Sequence, residues 1–549
     1  MLKENLVSYF EASIIKNWDL PALSDYKGAT YTYAQVGAQI KKLHLLFQLA
    51  GVKKGDKISL VGKNSANWCM AFLSTITYGA VVVPILPDFT SDDIMNIVNH
   101  SDSVLLFISD SIKQTIDRNK IPAIKAIVSL EDFDIVHSSV SSLPSASSDL
   151  EKKFIEKYPE SISSKNYAFD PFSNSDIAVI NYTSGTTGFS KGVILHLNSL
   201  SANIRFAQNN IPLKSGESVV SFLPLAHVYG CAFEFLFPFS IGCHITFLTK
   251  SPSPQVIIEA FGAIRPHLVL AVPLIIEKIY KKQILPAISK GSVKTLIKIP
   301  LLNKLVYNKI RKNLVAAFGG RFYEVVIGGA ALNAEVEDLL DKINFPFSIG
   351  YGMTECGPLI SYAGWRIRKL RSAGKIIDTI DIMIDSDDPY NKVGEIMVRG
   401  ENVMLGYYKN EQATAEALDK DRWLHTGDLG VIDKDKYVFI KGRSKSMILG
   451  PSGQNVYPEE IEARLNNLTY IQESVVIDRD KKIVALVFPD FAALEANGIP
   501  KDQYQQKMEE YRREINAVLP SFMGIIKIEM VNEEFEKTPK KSIKKFLYH

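Results

Sequence analysis

Much of what would place this chain at a glance is missing from it. Its 549 residues hold only four cysteines, Cys69, Cys231, Cys243 and Cys356, scattered and with no C-x-x-C pair. That argues against a disulfide framework and a structural zinc site, and fits a reducing, cytoplasmic compartment. Charge of one sign is scarce. A net charge of +3 gives no basis for nucleic-acid binding, and only a local basic patch could favour an anionic membrane. Long apolar runs are absent too. Met1 to Pro21 carries Lys3, Glu4, Glu11, Lys16 and Asp19 and so offers no signal core. The most apolar region, Val219 to Leu248, has no Lys or Arg and a single acid, Glu234, but Pro224, Gly230, Pro238 and Gly242 interrupt it. It reads as a buried core element, and any membrane contact is expected to be peripheral. The glycines of the early strands do not form G-x-G-x-x-G, which removes support for a dinucleotide fold.

What is present is ordinary in bulk and specific in detail. A hydrophobic content of 46% with 22% charged residues suits a soluble globular protein, and the length requires more than one domain. A helical pattern runs from Ala34 to Leu49 and stops at Gly51; a second runs from Ala66 to Tyr78. Strand-like runs occur at Lys57–Val61, Val81–Ile85, Val104–Ile108 and Ala126–Val128, and their alternation with helices predicts βαβ units around a parallel sheet. Residues 138–148 contain seven serines and read as a flexible connection to a second βα region, spanning about residues 176–341. Three strands are expected there, at Val219–Leu223, Leu268–Val272 and Tyr323–Ile327. Their ends carry Pro224-Leu225-Ala226-His227-Val228-Tyr229-Gly230 and Gly328-Gly329-Ala330, and ligands of open α/β sheets bind beyond such ends.

The most informative stretch is Tyr182-Thr183-Ser184-Gly185-Thr186-Thr187-Gly188-Phe189-Ser190-Lys191-Gly192, after the buried strand Ile177–Ile180. Glycines let a backbone approach a ligand, N–H groups and hydroxyls surround phosphate oxygens, and a lysine adds a point charge. The G-x-x-x-x-G-K-[ST] pattern is not met, because Lys191 stands three positions after Gly188. Further on, Gly350-Tyr351-Gly352-Met353-Thr354-Glu355 offers a flat ring for a base, a hydroxyl for phosphate and a hard oxygen ligand suited to Mg²⁺. Thr426-Gly427-Asp428 sets a carboxylate after a tight turn, where it can accept both hydroxyls of a ribose. Pro458-Glu459-Glu460-Ile461-Glu462 reads as a helix start.

Taken together and in this order, these motifs resemble those of the adenylate-forming superfamily, which includes acyl- and aryl-CoA ligases, luciferases and peptide-synthetase adenylation domains. The resemblance runs from about Tyr31 to the C-terminus. It implies an α/β fold: a large N-terminal domain (1–441) of doubly wound sheets with a small β-rich subdomain, and a small mobile α+β domain (442–549). It places ATP or AMP on Thr183, Ser184, Gly185, Thr186, Thr187, Gly188, Lys191, Gly329, Ala330, Tyr351, Gly352, Met353, Thr354, Asp428 and Arg443. It implies Mg²⁺ on Thr186 and Glu355, a carboxylate gate at His227 with Val228, Tyr229 and Gly230 lining the acyl side, and a hinge at Lys445. Gly450, Gly453 and Tyr457 would line a channel for coenzyme A. In long-chain acyl-CoA ligases the tail lysine that reaches the carboxylate stands where this chain has Ser542, so Lys541 is expected to take the role, as Lys540 also could.

Two further departures are Ser190, where the family usually has proline, and Leu274, where fatty acyl-CoA ligases usually carry arginine. The implied reaction is ATP-dependent activation of a carboxylic acid, a medium- or long-chain fatty acid above others, through acyl-AMP to acyl-CoA. Two rivals stay open: the same fold stopping at acyl-AMP or loading a carrier protein, and a non-catalytic binder of nucleotide or acyl-adenylate, suggested by Ser542.

Overall fold

The structure, a computed structural model, describes residues 1–143, 147–158, 162–183, 191–249, 253–289, 291–299, 302–449, 455–479, 482–538 and 543–548. Ser184 to Gly188, Gly450, Gly453, Lys541 and Ser542 fall outside them.

The strands expected at Lys57–Val61 and Val81–Ile85 form with those bounds and pair in parallel. Apart from Lys57 they are buried along their whole length, because both faces are covered. They sit in an eight-stranded sheet with Ser103–Ile108 and Ala126–Ser129 on one side and Ile177–Thr183 on the other. Antiparallel strands close both edges: Ile135–Ser138 at one, Lys191–His196 and Gly406–Tyr407 at the other. The strand that leads into the glycine-rich loop therefore belongs to the first sheet, which corrects the expectation of a separate sheet beyond a serine linker. The linker is also shorter than expected, since the strand Ile135–Ser138 and the helix Ser147–Lys157 take its two ends. An apolar run announces a strand, but its hydrogen-bonding neighbour lies far away in sequence and leaves no local trace.

A second mixed sheet holds Thr30–Thr32, Pro21–Asp25, His244–Phe247 and Ser218–Ser221. A parallel bridge from Val219 to Leu268 joins it to Val269–Ala271, Val325–Ile327, Phe347–Gly352 and Leu359–Tyr362. The three strand ends expected to share one crevice do lie side by side on the same edge. A third, antiparallel sheet holds Ile380–Asp385, Gly394–Gly400, Leu424–Ile432 and Val438–Arg443.

Local chemistry explains where the helices start and stop. The helix Tyr33–Leu49 opens with a reciprocal capping box between Thr32 and Gln35. The helix Ala66–Tyr78 is capped by Ser65 and ends on Gly79 at φ 86°. Region 219–248 is core as expected: its helical run from Val228 to Ile241 packs Phe235 against Trp68 and Phe72, and Phe239 against Phe10 and Tyr33. Among the described residues no helix is long and apolar enough to cross a membrane.

The large hydrophobic core reaches Val438 and a second begins at Ile448. The second lies under the sheet Ile471–Arg479, Lys482–Pro489, Lys527–Met530 and the helices Pro458–Leu465 and Tyr504–Asn516. The two parts touch where Asn333 donates to the Ala463 carbonyl at 3.2 Å and to Asn467, and Lys281 donates to the Asn466 carbonyl.

One buried base sets an acid limit on this core. His44 hydrogen-bonds the Ser74 carbonyl and Thr77 Oγ1. Burial first, and then Lys41, lower its pKa from 6.5 to about 3. Because the folded-state value is depressed, its contribution is fully present above pH 6.5 and is lost as the pH falls toward 3. We expect His44 to remove at most about 1.4 kcal/mol of stability per pH unit in that window. Urea melts of parent and His44→Gln at neutral and mildly acidic pH check this, and parallel losses in both would contradict it.

Candidate active site

The strands that flank the glycine-rich stretch pair with each other. Thr183 and Lys191 face each other across the antiparallel ladder, with the Thr183 hydroxyl 3.4 Å from the Lys191 carbonyl. The Lys191 ammonium lies 5.0 Å from the centroid of the Tyr407 ring. Tyr407 is brought there by Gly406–Tyr407 pairing with Val193 and Ile194. Its hydroxyl donates to Glu355 Oε1 at 2.9 Å, and burial together with Glu355 raises its pKa well above the ordinary phenol value. The lysine of the loop and the candidate metal carboxylate are thus joined through one tyrosine.

Glu355 lies in a turn that the chain fixes from three directions. Gly352 starts it, and a Cβ there would sit 2.2 Å from the Pro358 carbonyl oxygen, so the backbone requires glycine. Met404 N–H donates to the Glu355 carbonyl at 2.8 Å. Asn203, buried on the helix Leu197–Asn210, donates to the Cys356 carbonyl at 3.1 Å and accepts from Leu359 N–H at 2.9 Å. Among the described residues no cluster of three metal-ligating side chains occurs. A single carboxylate with one oxygen steadied by Tyr407 fits Mg²⁺ that arrives on phosphate oxygens, because that ion keeps most of its shell as water and phosphate.

Asp428 is buried, and both its oxygens are engaged: Oδ2 accepts from the Tyr351 hydroxyl at 2.7 Å, and Oδ1 lies 3.0 Å from Arg443 Nε. Burial pushes its pKa up, and Arg443 pulls against that shift without cancelling it. Tyr351 is held through its hydroxyl, which fixes the attitude of the ring. Thr354 and Met353 flank it, half-buried, on the same turn. Gly329, at φ 89°, and exposed Ala330 follow the neighbouring strand Val325–Ile327. Lys445 stands in a short 3₁₀ turn directly after Arg443, and Tyr457 packs against Gly442.

On the other side of the crevice, half-buried His227 stands immediately before the helical run that starts at Val228. A Cβ on Gly230 would lie 2.8 Å from the Pro224 carbonyl, so glycine lets that run start tight against its own loop. Tyr229 lays its ring against Gly328 and donates to the Val326 carbonyl at 3.2 Å. Three buried polar side chains clamp residues 222–227. Asn64 donates to the Leu223 carbonyl at 2.7 Å and accepts from Leu225 N–H at 3.0 Å. Asn181 donates to the Ala226 carbonyl at 2.9 Å, tying the strand of the glycine-rich loop to the residue before His227. Glu234 Oε2 accepts from Phe222 and Leu223 N–H, each at 2.9 Å. Full burial raises the Glu234 pKa, against the pull of its hydrogen bonds, and favours the neutral acid. It sits in a stretch of π-helix, Cys231–Leu236.

Sequence reasoning missed Tyr407, Asn64, Asn181, Asn203 and Glu234. Two had a signal: Asn181 interrupts an apolar strand, and Glu234 is the only acid in its region. Tyr407 had none, because its place depends on a long-range strand pairing.

Tail lysines are mostly occupied with their own domain. Lys537 pairs with Glu473 and Glu534, Lys544 with Glu536, and Lys545 with Glu462 at 2.7 Å and Glu459 at 3.2 Å. Burial lowers the Lys545 pKa, but those two carboxylates outweigh it and hold the ammonium above its ordinary value.

Comparison with known proteins agrees with this geometry. The AMP-binding enzyme family matches residues 10–408. A protein named probable acyl-activating enzyme 16, chloroplastic, from Arabidopsis thaliana is 29% identical, covering 93% of this chain and 78% of its own. The same organism's long chain acyl-CoA synthetase 7, peroxisomal, is 30% identical over 83% of this chain and 67% of its own. Among solved structures, an anthranilate CoA ligase in complex with anthranoyl-AMP superposes with a TM-score of 0.80 at 19% identity, covering 100% of this chain and 97% of that one. The O-succinylbenzoate coenzyme A synthetase of Bacillus subtilis, solved with ATP and a magnesium ion, superposes at 0.74 and 20% identity, covering 98% of each chain. The structural likenesses speak to the fold; the family match over most of the chain, with its motifs gathered around one crevice, shows that this protein belongs to the AMP-binding enzyme family of adenylate-forming ligases.

Proposed function

We propose that this protein activates a fatty acid, of medium or long chain, as its acyl-adenylate and transfers the acyl group to coenzyme A. The observation that carries the reading is the continuity from Lys191 through Tyr407 to Glu355, set beside the Tyr351–Asp428–Arg443 cluster. One end is built for phosphate and its counter-ion, the other for a ribose. Asp428 accepts the ribose hydroxyls, Arg443 orients Asp428, and the glycine-rich loop with Thr186, Lys191 and Gly188 holds the phosphates. Magnesium, bound at Glu355 and Thr186, would supply charge neutralisation at the phosphate oxygens.

A carboxylate oxygen attacks the α-phosphorus. The P–O bond to pyrophosphate breaks, and the charge on the oxygens is met by Lys191 and a tail lysine, for which we keep Lys541. The ion pairs of Lys537, Lys544 and Lys545 support that choice, since they are committed within their own domain. Lys445 serves as the hinge, dividing residues 1–441 from 442–549. The thiol of coenzyme A, guided along Gly450, Gly453 and Tyr457, then attacks the acyl carbonyl, and AMP leaves. His227, next to the Ala226 carbonyl that Asn181 holds, gates the carboxylate between Tyr229 and the nucleotide. The names of the curated relatives support the acyl-CoA product.

Product analysis by mass spectrometry, with saturated acids of increasing length and either coenzyme A or a carrier protein as acceptor, tests this. Acyl-CoA with an optimum among the longer acids is expected; transfer to the carrier protein alone would overturn the acceptor, and a preference for aryl acids the substrate class. Tyr407→Phe removes one hydrogen bond to a charged group, a loss of about 1.5–3 kcal/mol. It should therefore raise the magnesium concentration for half-maximal rate about tenfold or more. An unchanged magnesium titration would contradict the role given to Tyr407.

A further inference from the structure

We propose that the helical surface built from residues 278–289, 291–299 and 302–317 docks this protein on an anionic phospholipid bilayer. The whole chain is nearly neutral, with 63 Lys and Arg against 60 Asp and Glu. That balance hides a sharp local asymmetry. Between Glu277 and Glu324 the chain carries eleven Lys and Arg and no acid, so the remaining 52 cations stand against 60 acids.

The cations share their surface with exposed aliphatic side chains. Lys278, Lys298, Lys304, Lys309 and Lys312 are exposed, and so are Leu296, Ile299, Leu302 and Leu305. On the helix Leu302–Ala317 the spacing puts Leu302, Leu305, Lys309 and Lys312 on one outward face, while Leu314 points into the core. Leu305 keeps 66% of its area in water. Among the described residues none of these five lysines pairs with a carboxylate. Lysines around projecting leucines suit an interface where the charges meet lipid phosphates and the leucines enter the headgroup boundary. Nucleic acid would be served by the lysines but gains nothing from exposed leucines.

What lies beneath strengthens the choice of a lipid. One apolar cavity directly under these helices is walled by Tyr280, Ile284, Leu314 and Phe318. A second, walled by Phe222, Ala271 and Ile275, sits where two strands reach the crevice. Ile279 and Phe318 contribute to both. Apolar space in two adjoining cavities therefore lies beneath the basic surface.

Sedimentation of the full chain with vesicles tests the proposal without using activity. At about 0.1 M salt the bound fraction should be at least about tenfold greater on phosphatidylcholine vesicles holding about 30 mol % phosphatidylserine than on phosphatidylcholine alone. It should fall to the neutral level at about 0.5 M salt. Lys304→Glu/Lys309→Glu/Lys312→Glu should lose binding about tenfold or more, the milder Lys→Gln triple should lose part of it, and Leu305→Ser should lose several-fold. Melting temperatures within a few degrees of the parent establish that the variants are folded. Equal binding to both vesicle types, a folded triple variant that binds as the parent does, or binding to duplex DNA with none to vesicles would each overturn the proposal.

Discussion

Asp428→Ala is expected to lower kcat/KM for ATP by about a hundredfold or more, with most of the change in KM. Each hydrogen bond from a ribose hydroxyl to a charged acceptor contributes about 1.5–3 kcal/mol, and two are lost together. A loss of about 3 kcal/mol corresponds to roughly a hundredfold. The substitution also leaves the Tyr351 hydroxyl and Arg443 without the acceptor they share. Tyr351→Phe separates the two effects, because it keeps the carboxylate and removes only one of its supports; a loss of about tenfold is expected there. Steady-state rates at varied ATP, with a melting curve for each variant, check the pair. An ATP KM within threefold of the parent's for a folded Asp428→Ala protein would be incompatible with a ribose contact, threefold being only about 0.6 kcal/mol.

Glu234 is expected to show a second large effect, divided sharply between two substitutions. Its Oε2 is the acceptor for two buried N–H groups, at Phe222 and Leu223. Glu234→Ala orphans both and opens a hole, and should destabilise the fold by about 3 kcal/mol or more. Glu234→Gln matches the protonated acid in shape and keeps the accepting oxygen, and should stay within about 1 kcal/mol of the parent. The loop it clamps carries His227, so Glu234→Ala is also expected to raise KM for the acid while leaving KM for ATP near its parent value. Urea denaturation and rates at varied acid and varied ATP measure both. Equal destabilisation by Gln and Ala would mean that the acid acts as a charge and not as a neutral acceptor.

The sequence exposes the parts of this protein that are local. Lys57–Val61 and Val81–Ile85 are legible because a strand buried on both faces is predominantly apolar. The helix at Tyr33–Leu49 is legible because Thr32 and Gln35 form its cap. Site motifs such as Tyr351 to Glu355 and Thr426 to Asp428 are legible because each is a contiguous run of residues, although the structure places Thr426 to Asp428 within the strand Leu424–Ile432 and not in the tight turn expected. What was hidden depends on pairing at a distance. Ile177–Thr183 reads as a strand, yet nothing in it tells that Val81–Ile85 is its neighbour. Tyr407 reaches Glu355 only because Gly406–Tyr407 adds to the edge of a sheet whose partner strand, at Val193 and Ile194, lies far earlier in the chain. Glu234 shows the intermediate case: a lone acid in an apolar region marks something, but its two N–H partners appear only once the π-helical stretch folds against residues 222 and 223.

The most direct test of the central claim is carboxylate-dependent release of pyrophosphate from ATP and magnesium, measured without and then with coenzyme A. The account predicts release only when an acid is present, no more than slow turnover without the thiol, and rapid turnover to AMP and acyl-CoA with it. ATP binding with no pyrophosphate release for any acid, from octanoate to oleate, would contradict it and leave a nucleotide binder in its place.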